Sequence, residues 1–115
     1  MVKHMLDYAG ALDQTFRALA DPTRRQILDR LSRGPASVSQ LAAPLPMTLA
    51  AVVQHVQLLE GAGLVTTRKV GRVRTCTLHG APLRSAEQWL SEHRKAWEVR
   101  LDRLDAVLGD AGDQR

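Results

Sequence analysis

The apolar residues of this chain change period once, between Gly61 and Leu78, and no other feature constrains its fold as strongly. Upstream, Val52, Val56 and Leu59 recur at steps of four and three, which is one face of a helix. Leu64-Val65-Thr66-Thr67-Arg68-Lys69 is then β-prone, Gly71-Arg72 supplies a turn, and Val73-Arg74-Thr75-Cys76-Thr77-Leu78 alternates. Two such runs around a glycine predict a β-hairpin. Downstream the steps of three and four resume through Leu83, Ala86, Leu90, His93, Trp97, Leu101, Leu104 and Leu108, a near-heptad seam in one long helix over 82–108. The chain is therefore read as mainly α with one small two-stranded β-hairpin.

The segment before the hairpin divides by its breakers. Leu12, Phe16 and Leu19 predict an amphipathic helix over 8–20. Asp21 is a good N-cap and Pro22 suits a first helical turn, so a second helix with Ile27, Leu28 and Leu31 runs to about Arg33, where Gly34-Pro35 stops it. Ser37 caps a short third helix over 38–43, closed by Pro44 and Pro46. Thr48 caps a fourth over 48–61, ended by Gly61 and Gly63. Residues 1–108 read as a single domain with helices for dimerisation at both ends, and 109–115, which has no core residues, as a disordered tail. Repeats and low-complexity segments are absent.

Composition excludes several classes. Aromatics make up 3% of 115 residues, too few for a base-stacking binder of single strands, and they leave a core of Leu, Val and Ala. One cysteine, Cys76, excludes a disulfide framework and a cysteine-rich zinc site within one chain, and suits a reducing compartment. No run of about 18 apolar residues and no leader-like N-terminus is found, so a cytoplasmic location is expected. The net charge of +4 is unevenly placed. Between Arg30 and Ala86 seven bases face a single acid, Glu60, whereas the flanks are nearly balanced. A basic middle of this kind points to a nucleic-acid partner. Scattered Ser and His residues and the lack of a Gly-rich phosphate loop argue against an enzyme.

A short helix, a tight turn and a second helix form a helix-turn-helix, and a hairpin directly after it is a wing. In such a unit the second helix lies in the DNA major groove with its N-terminal residues on base edges. Two stretches carry a family resemblance. Leu19-Ala20-Asp21-Pro22-Thr23-Arg24-Arg25-Gln26-Ile27-Leu28 resembles the opening of ArsR/SmtB-type bacterial repressors. Val53-Gln54-His55-Val56-Gln57-Leu58-Leu59-Glu60-Gly61-Ala62-Gly63-Leu64-Val65 is similar to their recognition helix and its exit into the wing. The resemblance covers about Phe16 to Leu78. It implies a dimeric winged helix-turn-helix repressor, its dimer made by the first and last helices, bound to double-stranded DNA at a near-palindromic operator.

The candidate DNA-binding residues on the fourth helix are Thr48, Ala50, Ala51, Val53, Gln54, His55 and Gln57. With Val52, Val56 and Leu59 inward, the small Ala50 and Ala51 let the helix approach the groove floor, and Gln54 can pair bidentately with adenine. Relatives usually carry Ser or Thr where this chain has Val53, so no hydroxyl is offered there. The resemblance places His55 near the DNA backbone. On the wing, Arg68, Lys69, Arg72 and Arg74 lie within seven residues with no acid between them, a pattern for phosphate contact, with Arg72 at the tip. Of Arg24 and Arg25, which open the second helix, one is a candidate for phosphate contact and the other for an intramolecular pair. The candidate dimer interface is Leu12, Phe16, Leu90, His93, Trp97, Leu101 and Leu104.

Many relatives release DNA on binding a metal, using Cys-x-Cys in the third helix or Asp/His clusters in the last. This third helix has no thiolate, and the last has no His pair at the three- or four-residue spacing of a zinc site. No metal, cofactor or inducer is assigned. His93 is read as packed in the dimer seam and Cys76 as a small core residue. The alternatives are a MarR-like regulator, which is usually longer, and a winged-helix module for protein partners, which needs no acid-free hairpin.

Overall fold

The computed structural model describes the backbone over residues 2–113 and side chains over 10–109. The order is α1 (Val2–Leu19), α2 (Pro22–Leu31), β1 (Ala36–Ser37), α3 (Val38–Ala42), α4 (Leu49–Gly61), β2 (Val65–Val70), β3 (Val73–Leu78) and α5 (Ala81–Asp113). Two compact units result, one through Ser85 and one from Ala86 onward.

Local chemistry sets most boundaries in the first unit. Asp21 is the N-cap of α2, its carboxylate accepting from Arg24 N–H at 3.0 Å, with Pro22 in the first turn. Ser37 and Gln40 form a reciprocal capping box on α3. Thr48 caps α4, its hydroxyl accepting from Ala51 N–H at 3.1 Å. Gly63, at φ +76°, ends α4 in a left-handed turn in which Leu64 N–H reaches back to the Leu59 carbonyl at 3.0 Å. Gly71, at φ +62°, occupies the first position of the two-residue turn between Val70 and Val73 while Arg72 stays at negative φ, the pattern of a type II′ hairpin.

The sheet has three strands where a two-stranded hairpin was expected. Its order is β1-β3-β2, all antiparallel, with Ala36 opposite Cys76 and Ser37 opposite Thr75. A two-residue strand carries no period of its own, and only pairing with β3 defines it. The last helix also differs, continuing through Gly109 to Asp113 instead of fraying after Leu108, and α1 begins at Val2 rather than near Tyr8. The final two residues of the expected tail lie outside the described residues. A glycine costs a helix only about 1 kcal/mol relative to alanine, which the preceding seven turns of α5 can carry.

The core is aliphatic. Ala18, Ile27, Leu28, Leu31, Val38, Leu41, Val52, Val56, Leu59, Leu64, Val65 and Cys76 form one buried cluster, so the inward face expected for α4 is the observed one. The one buried polar side chain among the described residues, Thr15, donates its hydroxyl to the Ala11 carbonyl at 3.0 Å and so is satisfied. Cys76 sits fully inside, where burial pushes its thiol up from the ordinary range and away from reactivity.

In the second unit, α5 presents Leu90, Trp97, Leu101, Leu104, Val107 and Leu108 as exposed large apolar residues. Trp89, absent from the expected seam, stacks on His93 with ring centroids 4.3 Å apart and meets Trp97 edge-on at 5.7 Å. His93 Nδ1 donates to the Trp89 carbonyl at 2.8 Å.

Candidate nucleic-acid interface

The outward face of α4 is small and polar. Ala50, Gln54 and Gln57 are exposed; Ala51 is half-buried. Val53 is half-buried and packs partly against the core. Thr48 is exposed, its hydroxyl oxygen engaged in the cap. Leu49, which sequence reasoning passed over, is 53% exposed at the start of the helix. An apolar side chain next to an N-cap, off the inward stripe, was the signal for it.

Strand alternation sorts the four wing bases into different roles. Lys69 lies opposite Arg74, on the same face as Val65, Thr67, Cys76 and Leu78. That face is the inner one, buried at Val65 and Cys76 and emerging from the core toward the tip. Lys69, Arg72, Val73 and Arg74 share a groove of about 500 Å³ with Leu49, Val53 and Gln57 of α4 and with Ser37, Val38 and Ser39. None of the residues lining it is acidic. Arg68 projects from the opposite face, beside Thr66, Val70 and Thr75. Three of the four bases thus join α4 in one groove, and Arg68 does not. Ser37 and Ser39 were missed because only β1, invisible in the sequence, carries that end of α3 to the wing.

The single acid of the basic middle has a structural task. Thr67 Oγ1 donates to Glu60 Oε2, linking the last turn of α4 to β2. This bond orients the wing relative to α4 and leaves the groove without a negative group.

His55 turns one side of its ring toward the chain's own residues. Its Nδ1 lies 3.5 Å from Arg24 Nη1 and 3.9 Å from Asp21 Oδ2, and its side chain is 23% exposed. Arg24 and Arg25 both hydrogen-bond within the chain. Arg24 donates to the carbonyls of Ala18 and Arg17, each at 2.9 Å, and Arg25 to that of Leu19 at 2.7 Å. Together they satisfy the last turn of α1, where cations are favoured. The Arg24 N–H holds the Asp21 carboxyl below its ordinary value, and the charge of Arg24 acts in the same direction.

Of the residues expected at a dimer interface, Leu12 is already buried in the single chain and Phe16 half-buried. Leu90, Trp97, Leu101 and Leu104 are exposed, and His93 is half-buried. Among the described residues, no three His, Cys, Asp or Glu side chains come together as a ligand set, and no helix is long and apolar enough to cross a membrane.

Comparison with known proteins agrees with this geometry. A family model described as a helix-turn-helix domain matches residues 19–68. The chain is 46% identical over 101 residues to the HTH-type transcriptional regulator Rv2034 of Mycobacterium tuberculosis, spanning 88% of this chain and 92% of that protein. The crystal structure of an ArsR family transcriptional regulator, RHA00566, is similar with a TM-score of 0.75 and 49% identity, covering 78% of this chain and 93% of that one. The homodimeric winged helix-turn-helix DNA-binding domain of Mb0332 from Mycobacterium bovis is similar with a TM-score of 0.58 and 25% identity, covering 88% of each chain. With this identity along nearly the whole of a regulator's length, and with the wing and helix pair in place, the chain belongs to the ArsR family of winged helix-turn-helix transcriptional regulators, DNA-binding proteins rather than enzymes.

Proposed function

We propose that the chain acts as a cytoplasmic homodimeric repressor that places α4 in the major groove and the wing on the phosphate backbone of a near-palindromic operator. The observation that carries this reading is the acid-free groove in which Lys69, Arg72 and Arg74 flank Gln57 of α4. Bases there neutralise phosphates and set the register, while Gln54, exposed on α4, reads a base edge. The exposed apolar stripe of α5 supports the dimer, because soluble monomers rarely leave such a patch open. A two-fold axis then separates two recognition helices by about one DNA turn, roughly 34 Å. No metal inducer is assigned, since the third helix offers Val38, Ser39 and Gln40 where metal-responsive relatives carry thiolates.

Selection of bound duplexes from a randomised pool tests the reading. The expected product is a pair of inverted half-sites one turn apart. If each subunit neutralises three or four phosphates, log affinity falls against log salt with a slope of about −5 to −7. A pool that returns no preferred sequence, or a slope shallower than about −2, refutes it.

A further inference from the structure

Three elements that meet at the head of α2 share one guanidinium. Arg24 Nε donates to the Ala18 carbonyl and Nη2 to the Arg17 carbonyl, closing the end of α1. Its remaining nitrogen, Nη1, lies 3.5 Å from His55 Nδ1 on α4. Its backbone N–H donates to Asp21 Oδ2, the oxygen that also faces His55 Nδ1 from 3.9 Å. The imidazole of His55 is thereby held from the end of α1 and the start of α2 together.

The chemistry of this contact decides where the imidazole proton sits. A guanidinium has only donors. A ring nitrogen within bonding reach of it offers a lone pair, so the proton of the neutral ring is on Nε2. Asp21 favours the opposite arrangement, an N–H at Nδ1. Its oxygen, however, lies beyond hydrogen-bonding reach of the ring and already accepts from the Arg24 backbone. Asp21 and Arg24 are the charged groups that face the imidazole, and Arg24 is the nearer.

We infer that Arg24 is a positioning residue for DNA binding, which fixes His55 as its Nε2–H tautomer and couples the end of α1 to the recognition helix. The Nε2–H on the far side of the ring is a neutral donor, and its chemical match is a phosphate oxygen of the duplex. This inference rests on the reading of α4 as the helix that enters the groove. Lysine at position 24 would keep the charge but could not serve three acceptors in one fixed fork.

The test uses a duplex that the wild-type protein selects from a randomised pool, with affinity read by fluorescence anisotropy. His55→Gln places an amide N–H near the Nε2 position, and His55→Asn places one near Nδ1. His55→Asn and Arg24→Lys should each lose about five- to tenfold in affinity, the scale of one hydrogen bond, while His55→Gln stays within about twofold. Arg24→Lys added to His55→Gln should cost less than about twofold more, because an amide has no tautomer to fix. Nitrogen-15 spectra of the imidazole should show Nε2 protonated and Nδ1 bare in the wild type, and a tautomer mixture in Arg24→Lys. Equal losses from Arg24→Lys in both backgrounds would make Arg24 a structural clamp only and overturn the inference. So would a wild-type spectrum with the proton on Nδ1. If Gln54→Ala and the double variant Arg72→Ala, Arg74→Ala lower affinity while His55→Asn does not, this inference fails and the interface stands. If none of these variants changes affinity, the interface reading itself fails, and the inference with it.

Discussion

Arg74→Gln should make the folded protein slightly more stable and its DNA complex much weaker. The register of the hairpin sets Lys69 directly opposite Arg74 on the inner face, and both are exposed. Like charges directly opposed across two strands destabilise the pair. Two unit charges about 6 Å apart in water repel by about 0.7 kcal/mol. Screening at 0.15 M salt reduces this to about 0.3 kcal/mol, and at 1 M to about 0.1 kcal/mol. Removing Arg74 should therefore raise unfolding stability by about 0.3 kcal/mol at physiological salt, a gain that fades at 1 M. A phosphate bound in the groove sees the same two charges with the opposite sign. Loss of one phosphate contact per subunit, two per dimer, should flatten the salt slope by about 1.8 and weaken operator binding by about 30-fold at 0.15 M. Urea unfolding at low and high salt, beside anisotropy titrations over the same range, reads both effects. A stability loss that persists at 1 M salt would show that Arg74 holds the hairpin together. An unchanged slope in the folded variant would remove Arg74 from the DNA interface.

Further expectations concern separate parts of the molecule. Gln54→Ala should cost about 1–3 kcal/mol on the selected operator and relax one position per half-site, with little loss on random duplex; equal losses on both would leave Gln54 no base to read. Trp97 is 42% exposed in the single chain, so a partner that covers the remaining area, roughly 100 Å², contributes about 2.5 kcal/mol per subunit. Trp97→Glu should give monomers in sedimentation at tens of micromolar and lose operator binding, and a wild type that sediments as a monomer would defeat the dimer. Stoichiometric zinc or cadmium should leave operator affinity unchanged, and a tenfold loss reversed by a chelator would redirect attention to His93. Asp21 has a depressed carboxyl pKa in the fold, so its stabilisation is present above the ordinary carboxylate value and is lost as pH falls through the lower folded value. Asp21→Asn keeps a good helix cap but should flatten that part of the acid limb in thermal melts between about pH 5 and pH 2. An unaltered acid limb would show that Asp21 titrates alike in both states.

Much of the fold was legible because its signals are local. Asp21-Pro22, Ser37, Thr48, Gly63 and Gly71 each act on their own turn of backbone, through a cap or a left-handed φ, and each was found where the sequence put it. The inward stripe of α4 and the alternation in β3 are likewise properties of spacing alone, and from them the outward face with Ala50, Gln54 and Gln57 followed. The sequence determined, by itself, a helix-turn-helix followed by a basic wing. Tertiary structure decided what depends on partners distant along the chain. β1 exists only because Ala36 and Ser37 pair with Cys76 and Thr75, some forty residues on. The strand register divides Lys69 and Arg74 from Arg68, although the three lie within seven residues of sequence. The partners of Arg24 and Arg25 are not named by the sequence, because only folding brings the bare carbonyls at the end of α1 to them. His55, one of several helix residues by its spacing, becomes particular because Arg24, thirty-one residues away, meets its ring. Period, caps and turns are written in adjacent residues, whereas a hydrogen bond between distant groups forms only once the core has fixed both ends.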